Sequence, residues 1–169
     1  MKKFILALLP FLLIACASKK GATAFIDGEH TIESWCPPEG DCKFEIMKDK
    51  SLIIKTDGTG KLYYLVNDTP GRIVAKYVYI KKSGAYQDDG YREEIIFETD
   101  ARLSDLVVGN NIKNTKMLFG VHCFCREKAG FYKVNEGTVS YSNETLHLRI
   151  PNNIIDQQQI NMFTVRLAK

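Results

Sequence analysis

Cysteine has the widest choice of chemistry of any residue type in this chain, and there are five: Cys16, Cys36, Cys42, Cys123 and Cys125. Cys16 stands apart, directly after an apolar run. The other four form an even set of two close pairs. A zinc site would use them as thiolates, but zinc ribbons bring their ligands in C-x2–4-C pairs. Here the spacings are C-x5-C and C-x-C, and His122 alternates to the opposite strand face from Cys123, so no metal is expected. Thiol–disulfide exchange favours C-x-x-C at a helix N-terminus, where the thiolate is stabilised. Neither pair has that setting. In an exported chain an even count reads as two disulfides. An extended i, i+2 spacing separates two Cα atoms by roughly 6.6 Å with parallel Cβ vectors, a poor geometry for a bridge. The spacing therefore predicts that Cys123 and Cys125 bond to Cys36 and Cys42. Each bridge would close a loop of roughly 80–90 residues and stabilise by about 4 kcal/mol. The competing pairing is Cys36 with Cys42, leaving Cys123 and Cys125 as a reducible pair or as free thiols.

Other chemistry-bearing residues are less concentrated. His30, His122 and His147 are scattered and lack metal-ligand spacing. Asp88-Asp89-Gly90 has the acidic character of a calcium loop, but an EF-hand needs alternating acidic ligands and a later Glu, so a turn is expected. Glu93, Glu94 and Glu98 lie on one apparent strand. Paired carboxylates can serve glycoside hydrolysis, but strand neighbours meet the required separations by accident. They are expected to be solvated, with Glu93 at a strand end or sheet edge. No G-x-S-x-G, H-E-x-x-H or phosphate-binding glycine loop occurs, so no catalytic residue and no cofactor is assigned. The aromatics Tyr63, Tyr64, Tyr77, Tyr79, Tyr86, Tyr91, Phe131, Tyr132 and Tyr141 are dense. They suit either a ligand surface on a sheet or half-buried strand packing with hydroxyls in water.

The N-terminus carries an address. Lys2 and Lys3 precede Phe4 to Ala15, which hold no charge. That run falls short of the roughly 20 residues a membrane-spanning helix needs, and it fits a signal-peptide core. It ends Leu13-Ile14-Ala15-Cys16, which resembles the lipobox of bacterial lipoproteins. The resemblance implies cleavage before Cys16 and acylation, palmitate included, of the new N-terminus. Two or more acyl chains anchor a protein stably to a bilayer. The expected division is residues 1–15 as signal peptide, 16–24 as lipidated Cys and tether, and 25–169 as a single β domain. No Asp follows Cys16, which by the enterobacterial sorting rule favours the outer membrane over the inner. Setting Cys16 aside as the lipid site leaves the other four cysteines as an even set.

The elements that must position these residues are almost all strands. Phe44 to Met47 and Leu52 to Ile54 flank a polar turn at Lys48-Asp49-Lys50-Ser51. Asp57-Gly58-Thr59-Gly60 and Asp68-Thr69-Pro70-Gly71 are further turn signals around Lys61 to Val66. Arg72 to Lys81 places Ile73, Ala75, Tyr77 and Tyr79 on one face, with Val74, Val78 and Ile80 on the other. Tyr91 to Thr99, Met117 to Arg126, Gly130 to Val134, Thr138 to Tyr141, Thr145 to Ile150 and Ile160 to Leu167 complete the set. Ser104 to Val108 and Ile154 to Gln159 each suit a helical turn. About nine or ten short strands with turns every 8–12 residues indicate an all-β, antiparallel β-sandwich or barrel.

The chain has 23 basic and 20 acidic residues. Without the two leader lysines it is nearly neutral, which does not suggest nucleic-acid binding. The expected function is a lipid-anchored envelope lipoprotein whose β domain is a binding or assembly module. Its partner would be an envelope protein, a glycan or a small apolar ligand, besides the membrane at Cys16. The alternatives are an envelope or extracellular hydrolase and a lipocalin-like carrier.

Overall fold

Alternating apolar and polar residues favour strands that bury one face, and two such sheets can share one core. The computed structural model describes residues 29–82, 90–107 and 112–168. The leader, Cys16 and its tether, Tyr86 and Asp88-Asp89 lie outside the described residues. The strands are β1 (Thr31–Ile32), β2 (Gly40–Thr56), β3 (Leu62–Lys81), β4 (Tyr91–Asp100), β5 (Leu118–Cys123), β6 (Gly130–Lys133), β7 (Thr138–Ser142), β8 (Thr145–Arg149) and β9 (Met162–Arg166). One sheet runs β1-β9-β8-β7 and the other β2-β3-β4-β5-β6. All pairings are antiparallel, so the all-β sandwich is shown. β3 also touches β6 at Leu62 opposite Phe131, which curls the larger sheet toward a barrel.

The main core lies between the sheets. Ile73, Ala75, Tyr77 and Tyr79 of β3 face it, as their alternation predicts, with Phe119, Val139, Leu146, Leu148, Phe163 and Val165. Tyr77 stacks on Phe163 at 4.5 Å and donates its hydroxyl to the Trp35 carbonyl at 3.4 Å. Tyr77 and Tyr79 are thus packed deeper than the half-buried arrangement expected, whereas Tyr64, Tyr91, Tyr132 and Tyr141 are half-buried as expected.

Two of the predicted turns are not reversals. β2 and β3 run straight through Lys48–Ser51 and Asp68–Gly71 as one long hairpin, reversing only at Asp57–Gly60. The register jumps from Lys48 opposite Ile73 to Lys50 opposite Asp68. Asp49 therefore faces a bulge of four residues, Thr69 to Arg72. Asp49 and Gly71 both take positive φ, 53° and 78°. The Gly71 N–H donates to the Asp49 carboxylate at 2.9 Å. Turn-forming residues here build a bulge, which bends a strand without ending it.

The bend carries the far half of the hairpin across the outer face of its own sheet. Leu52 is buried there with Val74, Ile96 and Leu118, and Tyr64 and Phe131 pack around them. Val74 is covered on both sides for this reason, whereas Ile80, beyond the covered region, is exposed.

Smaller departures have local causes. β5 ends at Cys123, short of Arg126, because the chain bends at Phe124. Residues 154–159 form bends and a turn rather than a helix. The Gln158 side chain replaces helical backbone bonds, accepting from the Ile154 N–H and donating to the Pro151 and Ile160 carbonyls. A single 3-10 turn forms at Ser104–Leu106, as expected, and a second, unanticipated one at Ile112–Thr115.

Candidate functional site

The acidic strand β4 lies near the middle of its sheet, between β3 and β5, so its glutamates are buried rather than solvated as expected. Glu93 points into the main core and is 0 % exposed. It accepts the Gln159 N–H at 2.8 and 3.0 Å, the Ile160 N–H at 2.8 Å and the Tyr91 hydroxyl. Burial pushes its carboxyl above the ordinary glutamate range, although these donors hold it back. Burial, and then the bond and charge of Glu93, push the Tyr91 phenol up. Glu93 thus ties the loop before β9 to the larger sheet.

Glu94 and Glu98 point the opposite way, beneath the folded-over hairpin. Glu98 accepts the Leu52 N–H at 2.7 Å and pairs with Lys116 at 2.9 Å and Arg72 at 3.2 Å. Lys116 donates in turn to the Leu52 carbonyl at 3.0 Å. The two side chains satisfy the outward N–H and C=O of Leu52 on the edge strand β2.

Glu94 accepts the Tyr64 hydroxyl at 3.2 Å, with His122 Nε2 and Arg92 each at 3.5 Å. Burial alone would raise its carboxyl, but His122, then Arg92 and Lys76, bring it below the ordinary range. Burial, then Glu94, pushes the Tyr64 phenol up to about 12. Phe131 closes the group, edge-on to Tyr64 at 5.2 Å and to His122 at 5.4 Å. It lies over Gly120, where an added Cβ would sit 2.5 Å from Phe131 Cε1 and 2.9 Å from Glu94 Cγ. A carboxylate beside an imidazole can orient it for proton transfer. The other histidines have structural partners: His30 packs edge-on against Phe44, and His147 meets the Thr164 hydroxyl at 3.3 Å.

Phe131 also lines an open cleft of about 680 Å³ on the β6 side of the molecule. Three separated segments form it: the hairpin tip at Gly60–Leu62, the β6 region from Glu127 to Glu136, and Pro151 to Ile154. Lys61 fixes the first to the second by donating to the Ala129 carbonyl at 3.1 Å. Lys61, Lys133, Glu127 and Glu136 give the walls mixed charge, and Asn135 and Asn153 add amides. Leu62, Tyr132, Val134 and Ile154 supply the apolar lining. Phe131 and Tyr132 were among the candidate ligand-surface aromatics. The polar lining residues come from sequence positions that no local motif links.

The disulfides overturn the expected cross-connection. Cys36 bonds to Cys42, with Cα atoms 5.9 Å apart, and Cys123 bonds to Cys125, with Cα atoms 5.2 Å apart. Register explains why. Cys42 lies opposite Tyr79, Tyr79 opposite Glu93, and Glu93 opposite Val121. Three strand spacings, about 14 Å, thus separate the pairs, beyond the reach of any bridge. The bend at Phe124 shortens the Cys123–Cys125 separation below that of an extended strand.

Among the described residues no three His, Cys, Asp or Glu converge as metal ligands. Comparison with protein-family models, curated proteins and solved structures finds no match to this chain.

Proposed function

We propose that this chain is a lipid-anchored cell-envelope lipoprotein, acylated at Cys16 and held at the outer membrane, whose β domain binds an envelope partner in the β6 cleft. The cleft is the observation that carries the binding role. Its volume of about 680 Å³ falls within the range of ligand sites, roughly 300–1,000 Å³. Its mixed charge, amides and aromatics suit a polar envelope protein or glycan better than a small apolar ligand.

A photo-crosslinking residue at Asn153, in the cleft, tests this in living cells against the same residue at Asn143, in the turn between β7 and β8. The reading expects a discrete adduct from position 153 and none from 143. No adduct at 153, or the same adduct at both, would contradict it.

A second reading, hydrolysis of an envelope polymer, draws on the Glu94–His122 pair. It expects release of soluble fragments from a dye-labelled polymer, abolished by His122→Asn.

A further inference from the structure

The two disulfides constrain the chain unequally. Cys36 and Cys42 are six positions apart in sequence, whereas Cys123 and Cys125 are two apart. A bridge stabilises a fold by restricting the unfolded chain, and that restriction shrinks with the closed loop. A ring closed around the single residue Phe124 therefore adds the less of the two. The register of β5 is already set by its ladders to β4 and β6, which run up to Cys123 without the bridge.

The surroundings of this ring suit chemistry better than support. Among the described residues, Cys36, Cys42 and Cys123 pack against the main core, and Cys125 does not. Phe124, between the two sulfurs, is 92 % exposed, and the side chain of Arg126, directly after them, is 95 % exposed. These four residues line an open, mostly apolar depression of about 290 Å³. Exposed disulfides are the labile, exchange-prone ones, and exchange begins where a thiolate can reach a sulfur. Cys125 is that sulfur here. Arg126 lies 3.8 Å from Glu127, an ion pair so open to water that it leaves the guanidinium charge little countered. A cation beside a cysteine favours its thiolate. Phe124 offers apolar contact to the chain segment on either side of an incoming thiol.

We infer that Cys123–Cys125 is a thiol–disulfide exchange site that passes its disulfide to an exported polypeptide carrying two free thiols. A thiolate of the partner attacks Cys125 Sγ. The bond to Cys123 breaks, and Cys123 leaves as a thiolate and takes a proton from water. The partner is now joined to Cys125. Its second thiolate attacks its own sulfur in that mixed disulfide, and Cys125 leaves as a thiolate beside Arg126. The partner has lost two electrons and gained a disulfide. Cys123 and Cys125 have gained those two electrons and become a dithiol, taking up the two protons that the partner thiols released to solvent. The reverse exchange with a low-molecular-weight disulfide restores the ring.

The test mixes the purified, oxidised full chain with a synthetic peptide carrying two cysteine thiols. Free thiols are alkylated at timed intervals and located by mass mapping. The inference expects one peptide disulfide formed per chain, with alkyl groups at Cys123 and Cys125 and an intact Cys36–Cys42 bridge. Opening of Cys123–Cys125 is expected to be about tenfold faster, or more, than opening of Cys36–Cys42. Arg126→Gln is expected to slow it several-fold, and Arg126→Lys to restore it. The double variant Cys123→Ser, Cys125→Ser is expected to leave the peptide reduced while its urea midpoint stays near that of wild type. A ring that stays closed in excess peptide overturns the inference. So do equal opening rates at the two bridges, or free thiols at Cys123 and Cys125 in the oxidised protein. A bridged synthetic peptide of residues 121–128 that exchanges as fast as the whole chain also overturns it, because the fold then contributes nothing.

Discussion

Glu93 and Glu94 are neighbours in the chain with opposite electrostatic fates, and pH separates them. The carboxyl of Glu93 is raised by burial, so the folded state holds its proton more tightly than the unfolded state does. Its contribution to stability is full in acid and is lost as pH rises through the raised value. Glu94 is lowered, so its contribution is present above the ordinary glutamate range and is lost as pH falls through the lowered value. Glu93→Gln is therefore expected to gain stability relative to wild type as pH rises from about 4 to 8. Glu94→Gln is expected to cost about 1–3 kcal/mol at neutral pH and progressively less in acid. Urea unfolding across that pH range checks both signs. Gly120→Ala drives a methyl into Phe131 and Glu94 and is expected to cost about 1–3 kcal/mol by the same measurement. The sequence showed which residues share a face of β4: Glu93 with Ile95 and Phe97, Glu94 with neither. It did not show burial, because that depends on the hairpin that folds over Glu94 and on the loop that donates to Glu93.

At the scale of elements, alternation made most strands legible. Tyr91–Asp100, Thr138–Ser142 and Thr145–Arg149 fall within one or two residues of their expected ends. Turn chemistry was legible only as a need for unusual backbone. Asp57–Gly60 uses it to reverse the chain, and Asp49 with Gly71 uses it to bulge two paired strands. Composition does not separate those outcomes, because the bulge is defined by what lies opposite. Gly71→Ala forces a side chain into positive φ and is expected to cost about 1–2 kcal/mol. Gly58→Ala, at a position with open space around it, is expected to stay within about 0.5 kcal/mol. Equal effects in denaturant melts would contradict the bulge. The cysteine connectivity failed for a related reason. The expectation treated Cys125 as part of an extended strand, whereas the chain turns out of β5 after Cys123. Peptide mapping without reduction is expected to recover Cys36 with Cys42 and Cys123 with Cys125. A peptide joining the two pairs would require a different sheet register.

The all-β sandwich was readable from period-two alternation and regular turn signals. The cleft was not, because the hairpin tip, β6 and Pro151 to Ile154 meet only once the larger sheet has curled β3 onto β6. The envelope role proposed for the cleft presupposes the lipid at Cys16. Intact-mass and N-terminal peptide analysis of the protein purified from the membrane fraction tests that premise most directly. The account predicts a mature chain that begins at Cys16 and carries diacylglyceryl with or without a further acyl group, and an uncleaved Cys16→Ser variant that lacks them. A chain cleaved elsewhere without lipid, or a Cys16→Ser variant processed like wild type, would contradict it.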